Sequence, residues 1–179
     1  IGITINPEVA FPGERAAEVV RPLMKLLDID CTALENFESL MALTNLAQVN
    51  STIQGRILEF GGFSKIEHYQ YDEHMFLKRA AMQCVANLIT NSQVISLFEA
   101  NNERVKYLLL SSEDEDLETA LAASGGLAML TGVSSICSAK IIKVKDWLEI
   151  LIHLCSSVNL EIVNRGIFIA RNIISAGKE

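Results

Sequence analysis

Arg79-Ala-Ala-Met-Gln-Cys-Val-Ala-Asn-Leu-Ile89 decides the fold, because the chain contains it four times in altered form. Phe37-Glu-Ser-Leu-Met-Ala-Leu-Thr-Asn-Leu-Ala47, Leu121-Ala-Ala-Ser-Gly-Gly-Leu-Ala-Met-Leu-Thr131 and Asn164-Arg-Gly-Ile-Phe-Ile-Ala-Arg-Asn-Ile-Ile174 share its mixture of small and apolar residues. Superposed, Asn45, Asn87, Met129 and Asn172 form one column at spacings of 42, 42 and 43, followed by Leu46, Leu88, Leu130 and Ile173. A second column is independent of the first. Val20, Phe63, Val105 and Trp147 recur at 43, 42 and 42, with Leu23, Ile66, Leu108 and Ile150 three residues later. Alternation of the strand kind is absent throughout.

A period in this range is that of HEAT and armadillo units, each of two or three helices that bury their apolar faces only when neighbours stack. The expected fold is all-α: a right-handed superhelical solenoid of about four armadillo-like units of 42–43 residues. The repeats fall near 1–50, 51–91, 92–133 and 134–179, within a single domain spanning 1–179.

Each unit reads as a short, a middle and a long helix. Middle helices are expected at 17–27, 63–70, 104–110 and 145–155, and long ones at 34–48, 72–90, 113–133 and 160–175. Short first helices are expected at 51–60, 93–100 and 135–142. The breaks carry the appropriate backbone chemistry: Pro12-Gly13, Gly61-Gly62, and Asn101-Asn102 as a pair tolerant of left-handed geometry. Ser112 with Glu115 three residues on reads as a capping box opening the third long helix. The acidic run Glu113 to Asp116 then sits at the positive end of its dipole.

Composition excludes several classes of function. The chain has 179 residues, half of them apolar, and a formal net charge of -7. Its field therefore repels phosphate backbones and anionic membranes, and its Lys and Arg form no stripe; neither nucleic acid nor membrane is an expected partner. The four cysteines, Cys31, Cys84, Cys137 and Cys155, are far apart without a C-x-x-C, unlike a secreted disulfide framework, so a reducing cytoplasm fits. No apolar run approaches the roughly 20 residues of a membrane span. A start at Ile1 and an end at Glu179 in helical sequence suggest part of a longer protein.

Catalytic readings fail on spacing. His68, Asp72, Glu73 and His74 cluster within seven residues, but the histidines are six apart across an expected helix boundary, not one turn apart on one face. A solvated linker is the better reading. Cys84 and Cys155 lie on apolar faces, where a thiol acts as a small hydrophobe. Gly125-Gly126 lies inside a helix and suits close helix approach, not phosphate binding. Asn50-Ser51-Thr52 matches a glycosylation sequon that is inert in a cytosolic protein. Ser111 and Ser112 precede acidic residues as a kinase site would, yet a helix cap explains the same pattern. Trp147 shares its column with core residues and is expected in the core. No catalytic residue, metal ligand or cofactor is expected, and the chain is read as a binding protein, not an enzyme.

Val20-Arg-Pro-Leu-Met-Lys-Leu-Leu27 resembles the middle helix of an armadillo repeat. More narrowly, three segments resemble the UCS domain of animal muscle myosin chaperones, with a likeness running over essentially the whole chain. They are Asn6-Pro-Glu-Val-Ala-Phe-Pro-Gly13, Cys31-Thr-Ala-Leu-Glu-Asn-Phe-Glu-Ser-Leu-Met-Ala-Leu-Thr-Asn-Leu46, and Asp114-Glu-Asp-Leu-Glu-Thr-Ala120 with the Ala-Ser-Gly-Gly-Leu-Ala-Met-Leu-Thr131 that follows. The resemblance implies a C-terminal UCS fragment that engages the myosin motor domain and assists its folding and thick-filament assembly. It also implies a heat-shock chaperone partner, recruited by an upstream TPR region absent from this chain. The other reading is a generic armadillo adaptor or scaffold.

In armadillo proteins that bind extended peptides, the third-helix Asn resembling this column faces the groove and pairs with the ligand's backbone. Asn45, Asn87 and Asn172 match that position and Met129 departs from it. One turn earlier those proteins carry tryptophan; here stand Met41, Gln83, Gly125 and Phe168. The missing aromatic wall argues against basic import cargo, while Met41, Met129 and Phe168 suggest an adaptable apolar groove for partly folded clients. The expected protein-binding groove is thus Met41, Asn45, Gln83, Asn87, Met129, Phe168 and Asn172. Two uses of the asparagines stay open: pairing with a ligand, or bonding between neighbouring repeats.

Overall fold

A computed structural model describes residues 15–177, and among them the only regular secondary structure is helical. The described residues fall into two compact units that divide between Asn91 and Ser92. The first holds α1 (Arg15–Glu18), α2 (Val20–Leu26), α3 (Ala33–Ala47), α4 (Ser51–Glu59), α5 (Gly62–Tyr69) and α6 (Met75–Leu88). The second holds α7 (Ser92–Ala100), α8 (Asn102–Ser111), α9 (Leu117–Val133), α10 (Ser135–Ile141), α11 (Trp147–Cys155) and α12 (Leu160–Ala176). No helix among the described residues is long and apolar enough to cross a membrane.

The leucines that follow the first column and most of the second column supply core to both units, while Ile173 is only half-buried. Leu46, Leu88 and Leu130 are fully buried, as are Val20, Phe63 and Val105. Trp147 breaks its column. It opens α11 only half-buried, although Val20, which opens α2 in the same column, is fully buried. Cys84 and Cys137 are buried, whereas Cys155, expected on an apolar face, is only half-buried.

Buried and half-buried polar groups join the helices within each unit. Asn36 on α3 accepts from the Asp28 N–H (3.0 Å) and from the Tyr69 hydroxyl on α5 (2.8 Å), and its amide donates to the Asp28 carbonyl (3.0 Å). From α5, Lys65 Nζ donates to the carbonyls of Leu27 (3.1 Å) and Met24 (3.4 Å) at the end of α2. Lys140 of α10 does the same for Phe98 and Glu99 at the end of α7. These cations sit where helix C-termini expose carbonyls and negative dipole, so each both caps and cross-links.

Helix starts corrected three expectations. The capping box is at Thr32, whose hydroxyl accepts from the Glu35 N–H (3.3 Å) while Glu35 accepts from the Thr32 N–H (2.8 Å). Ser112 is instead buried at the end of α8, where its hydroxyl turns back to donate to the Leu109 carbonyl and closes that helix rather than opening the next. The third long helix therefore starts four residues late, at Leu117, where Asp116 accepts from the Thr119 N–H (3.1 Å) and hydroxyl (2.7 Å). Asn101 is an extended cap accepting from the Glu103 N–H (2.9 Å), not a left-handed residue. Left-handed backbone occurs among the described residues at Gly61 (φ 68°) and Asp146 (φ 62°). Pro12-Gly13 and the Asn6–Gly13 segment lie outside the described residues.

Because the Thr32 box satisfies two otherwise orphan donors, Thr32→Ala is expected to cost about 1 kcal/mol of stability, read as a lowered urea midpoint at unchanged slope.

Candidate functional site

All seven residues expected to line a groove lie on the long helices, and every one is partly accessible. In the first unit, Met41 and Asn45 stand one turn apart on α3, and Gln83 and Asn87 one turn apart on α6. A four-residue step keeps each pair on one helix face, while the neighbours Leu40, Leu43, Thr44, Cys84 and Leu88 point inward and are buried.

The amide of Asn87 does not point freely outward. Its Nδ2 donates to the Thr44 carbonyl on α3 (3.0 Å), and the backbone carbonyl of Asn87 accepts from Gln54 Nε2 of α4 (3.2 Å), which also donates to the Ala47 carbonyl (2.9 Å). In the second unit, Asn172 Nδ2 on α12 donates to the Thr131 hydroxyl on α9 (3.2 Å). Two of the three asparagines in the column therefore tie one long helix to the next. Of the two uses left open by the sequence, these residues serve at least the bonding of neighbouring repeats.

Met129 and Phe168 are the most open of the seven, 38% and 42% exposed. Phe168 lies against Gly132: a Cβ at Gly132 would stand 3.3 Å from the Phe168 ring and 3.7 Å from Asn172 Nδ2. Gly125, at the register of Met41 and Gln83, makes room for a side chain the sequence did not single out. A Cβ there would lie 3.1 Å from the Arg165 guanidinium carbon. Arg165 Nη1 donates to the Leu121 carbonyl and to Ser124 Oγ (3.3 Å), and its Nη2 to Glu161. This glycine thus admits a guanidinium, not merely a neighbouring helix. The one legible hint was Glu161 four residues before Arg165, a helical ion-pair spacing; the partner carbonyl lies 44 residues away.

A second feature also escaped the sequence. Phe37 of α3 meets Phe76 of α6 edge-on, with ring centroids 6.2 Å apart, and the Arg79 guanidinium lies 5.3 Å from the Phe76 centroid. Phe76 remains 46% exposed and Leu34 is 67% exposed. Apolar surface thus continues from Met41 toward the start of the long helices. Separately, a cleft of about 390 Å³ in this unit is lined by Leu27, Ile29, Lys65, His68 and Tyr69 and involves none of the seven residues.

The thiol beneath this face is inert. Burial drives the Cys84 pKa up to about 12, against a weaker opposing hydrogen bond with Thr44, so no thiolate forms at neutral pH. The N–H of His74 donates to Asp72 (2.8 Å) at the start of α6, and among the described residues no group of three or more His, Cys, Asp or Glu side chains gathers to hold a metal.

No family model matches the chain. Protein unc-45 homolog B of Xenopus tropicalis is 41% identical over 182 aligned positions, covering 100% of this chain and 20% of that protein. The structure of UNC-45 from Drosophila melanogaster is 53% identical with a TM-score of 0.94, over 99% of this chain and 23% of that one. The myosin chaperone UNC-45 from C. elegans, solved with a Hsp90 peptide, is 34% identical with a TM-score of 0.87, over 94% of this chain and 19% of that one. A designed armadillo repeat protein, at 20% identity and a TM-score of 0.77, is similar in fold alone. The chain spans about one fifth of the length of the curated relatives it matches. Over that span, from end to end, this armadillo-like helical solenoid is homologous to the UNC-45 proteins.

Proposed function

We propose that this chain is a client-holding part of a myosin chaperone: it engages the myosin motor domain in the cytoplasm and assists its folding and assembly into thick filaments, without catalysis or cofactor. The observation that carries this reading is the end-to-end likeness to UNC-45, one solved member of which is a myosin chaperone. A heat-shock partner would be met by a TPR region of the longer protein.

Each unit offers the client the accessible face of its own long helices, with roles divided by chemistry. Met41, Met129 and Phe168 supply adaptable apolar contact, Asn45 and Gln83 supply polar contact, and Asn87 and Asn172 hold adjacent helices in register. Gln83, Met129 and Phe168 are therefore the informative substitutions, since none of them bonds one long helix to another among the described residues.

The triple variant Gln83→Ala, Met129→Ala, Phe168→Ala is expected to capture a myosin motor fragment about tenfold more weakly, with helicity by circular dichroism unchanged. Undiminished capture by the folded variant would sink the proposed surface. Protection of a heated myosin motor domain, compared with an unrelated armadillo protein, tests the function itself: stronger protection supports the chaperone, and equal protection favours the generic adaptor.

A further inference from the structure

The first residue of each long helix forms a third column, Ala33, Met75, Leu117 and Leu160, that neither the core nor the seven groove residues explain. Unlike the core columns it faces outward: Met75 is 47%, Leu117 49% and Leu160 78% exposed. In the second unit the starts of α9 and α12 lie side by side. Arg165, five residues beyond Leu160, donates to the carbonyl of Leu121, four residues beyond Leu117. Val158, just before α12, is fully exposed. Water gains nothing from leaving three large apolar side chains in the open, so this edge is a candidate contact surface.

Charge identifies what would cover it. The chain contains no Lys, Arg or His between Lys106 and Lys140, nor between His153 and Arg165. Most acids nearby are already engaged: Glu113 with His153 Nδ1 (2.7 Å), Asp116 as the α9 cap, and Glu161 with Arg165. Glu115 and Glu118 flank Leu117, are exposed, and have no partner among the described residues. An anionic membrane or a nucleic acid would be repelled by this edge. A polypeptide that sets Lys or Arg beside Leu, Ile or Met complements it on both counts, and within a few ångströms the two attractions act together despite a Debye length of about 8 Å.

We propose that the edge formed by Leu117, Val158 and Leu160 with Glu115 and Glu118 binds a cationic amphipathic polypeptide segment. The inference rests on the client-holding reading, and such a segment of an unfolded client is its natural occupant. It also makes that reading chemically selective: the apolar contacts are supplied by aliphatic side chains and not by an aromatic wall, and the acids reject anionic segments.

The test uses the whole 179-residue chain and three short fluorescent peptides, read by anisotropy: Lys and Leu at helical spacing, Glu and Leu at the same spacing, and Lys with Ser. The Lys–Leu peptide is expected to bind, more weakly as salt rises, and at least about tenfold better than either of the others. Glu115→Lys with Glu118→Lys is expected to weaken it about tenfold, and Leu117→Ser with Leu160→Ser comparably. Both variants change exposed positions, and circular dichroism checks that they stay folded. Equal binding of the Glu–Leu peptide, or undiminished Lys–Leu binding by either folded variant, overturns the proposal. Motor capture is measured separately on the parent chain. Charge-selective peptide binding without motor capture overturns the client reading alone, and motor capture without charge-selective binding overturns this occupant alone.

Discussion

Gly166→Ala is expected to lower the unfolding free energy by about 2 kcal/mol, even though alanine is the better helix former by about 1 kcal/mol. Gly166 is buried on α12 where that helix crosses α11. An added Cβ would stand 2.9 Å from Leu154 Cβ and 3.1 Å from both the Leu154 carbonyl carbon and the Cys155 nitrogen. Two of those three atoms are backbone and cannot rotate away, so α11 and α12 must part and loosen the packing of Leu154, which is 2% exposed. The comparison is Gly55 on α4, where an added Cβ meets nothing within 4 Å. Gly55→Ala is expected to raise stability by about 0.5 to 1 kcal/mol. Urea unfolding followed by circular dichroism measures both; changes of the same sign would refute the close-approach account.

The second large effect appears at alkaline pH. Cys84 is completely buried, and its thiol pKa rises from 9.0 to about 12. Below pH 9 the thiol is protonated in the folded and unfolded chains alike, so its contribution is fully present. Between about 9 and about 12 the unfolded chain releases the proton and the folded chain keeps it. Stability therefore falls with rising pH over that window, by roughly 1.4 kcal/mol per unit. Cys84→Ala removes this slope at the cost of a small cavity near neutrality. Because Cys31, Cys137 and Tyr69 are also shifted upward by burial, the measurement is the difference between parent and variant across the window. Parallel curves would mean that Cys84 is not held protonated by the fold.

Much of the architecture could be read before any coordinates, because a packing constraint repeated every 42 or 43 residues leaves the same mark each time. Leu46, Leu88 and Leu130 had to be apolar for one shared reason, and so did Val20, Phe63 and Val105. The helix ends were harder. Ser112 and Asp116 are equally plausible caps by residue type, and the choice fell to Asp116 because the Ser112 hydroxyl is folded back onto the Leu109 carbonyl. Trp147 was misplaced for a related reason: a shared column specifies register along the chain, but not how completely neighbouring side chains cover the position.

The candidate surface divides in the same way. By itself the sequence determined the helical class, the period, the core columns and the acidic character, since each depends on residue type and spacing along the chain. It also brought Met41, Asn45, Gln83, Asn87, Met129, Phe168 and Asn172 to corresponding positions on the long helices. Tertiary structure alone decided what those positions do. Asn87 turns toward the Thr44 carbonyl and Asn172 toward the Thr131 hydroxyl, Gly125 admits Arg165 from a helix more than forty residues on, and Leu117 and Leu160 stay in the open. A side chain's partner depends on which donors and acceptors its neighbours have already used, and those neighbours are assembled only when the repeats stack.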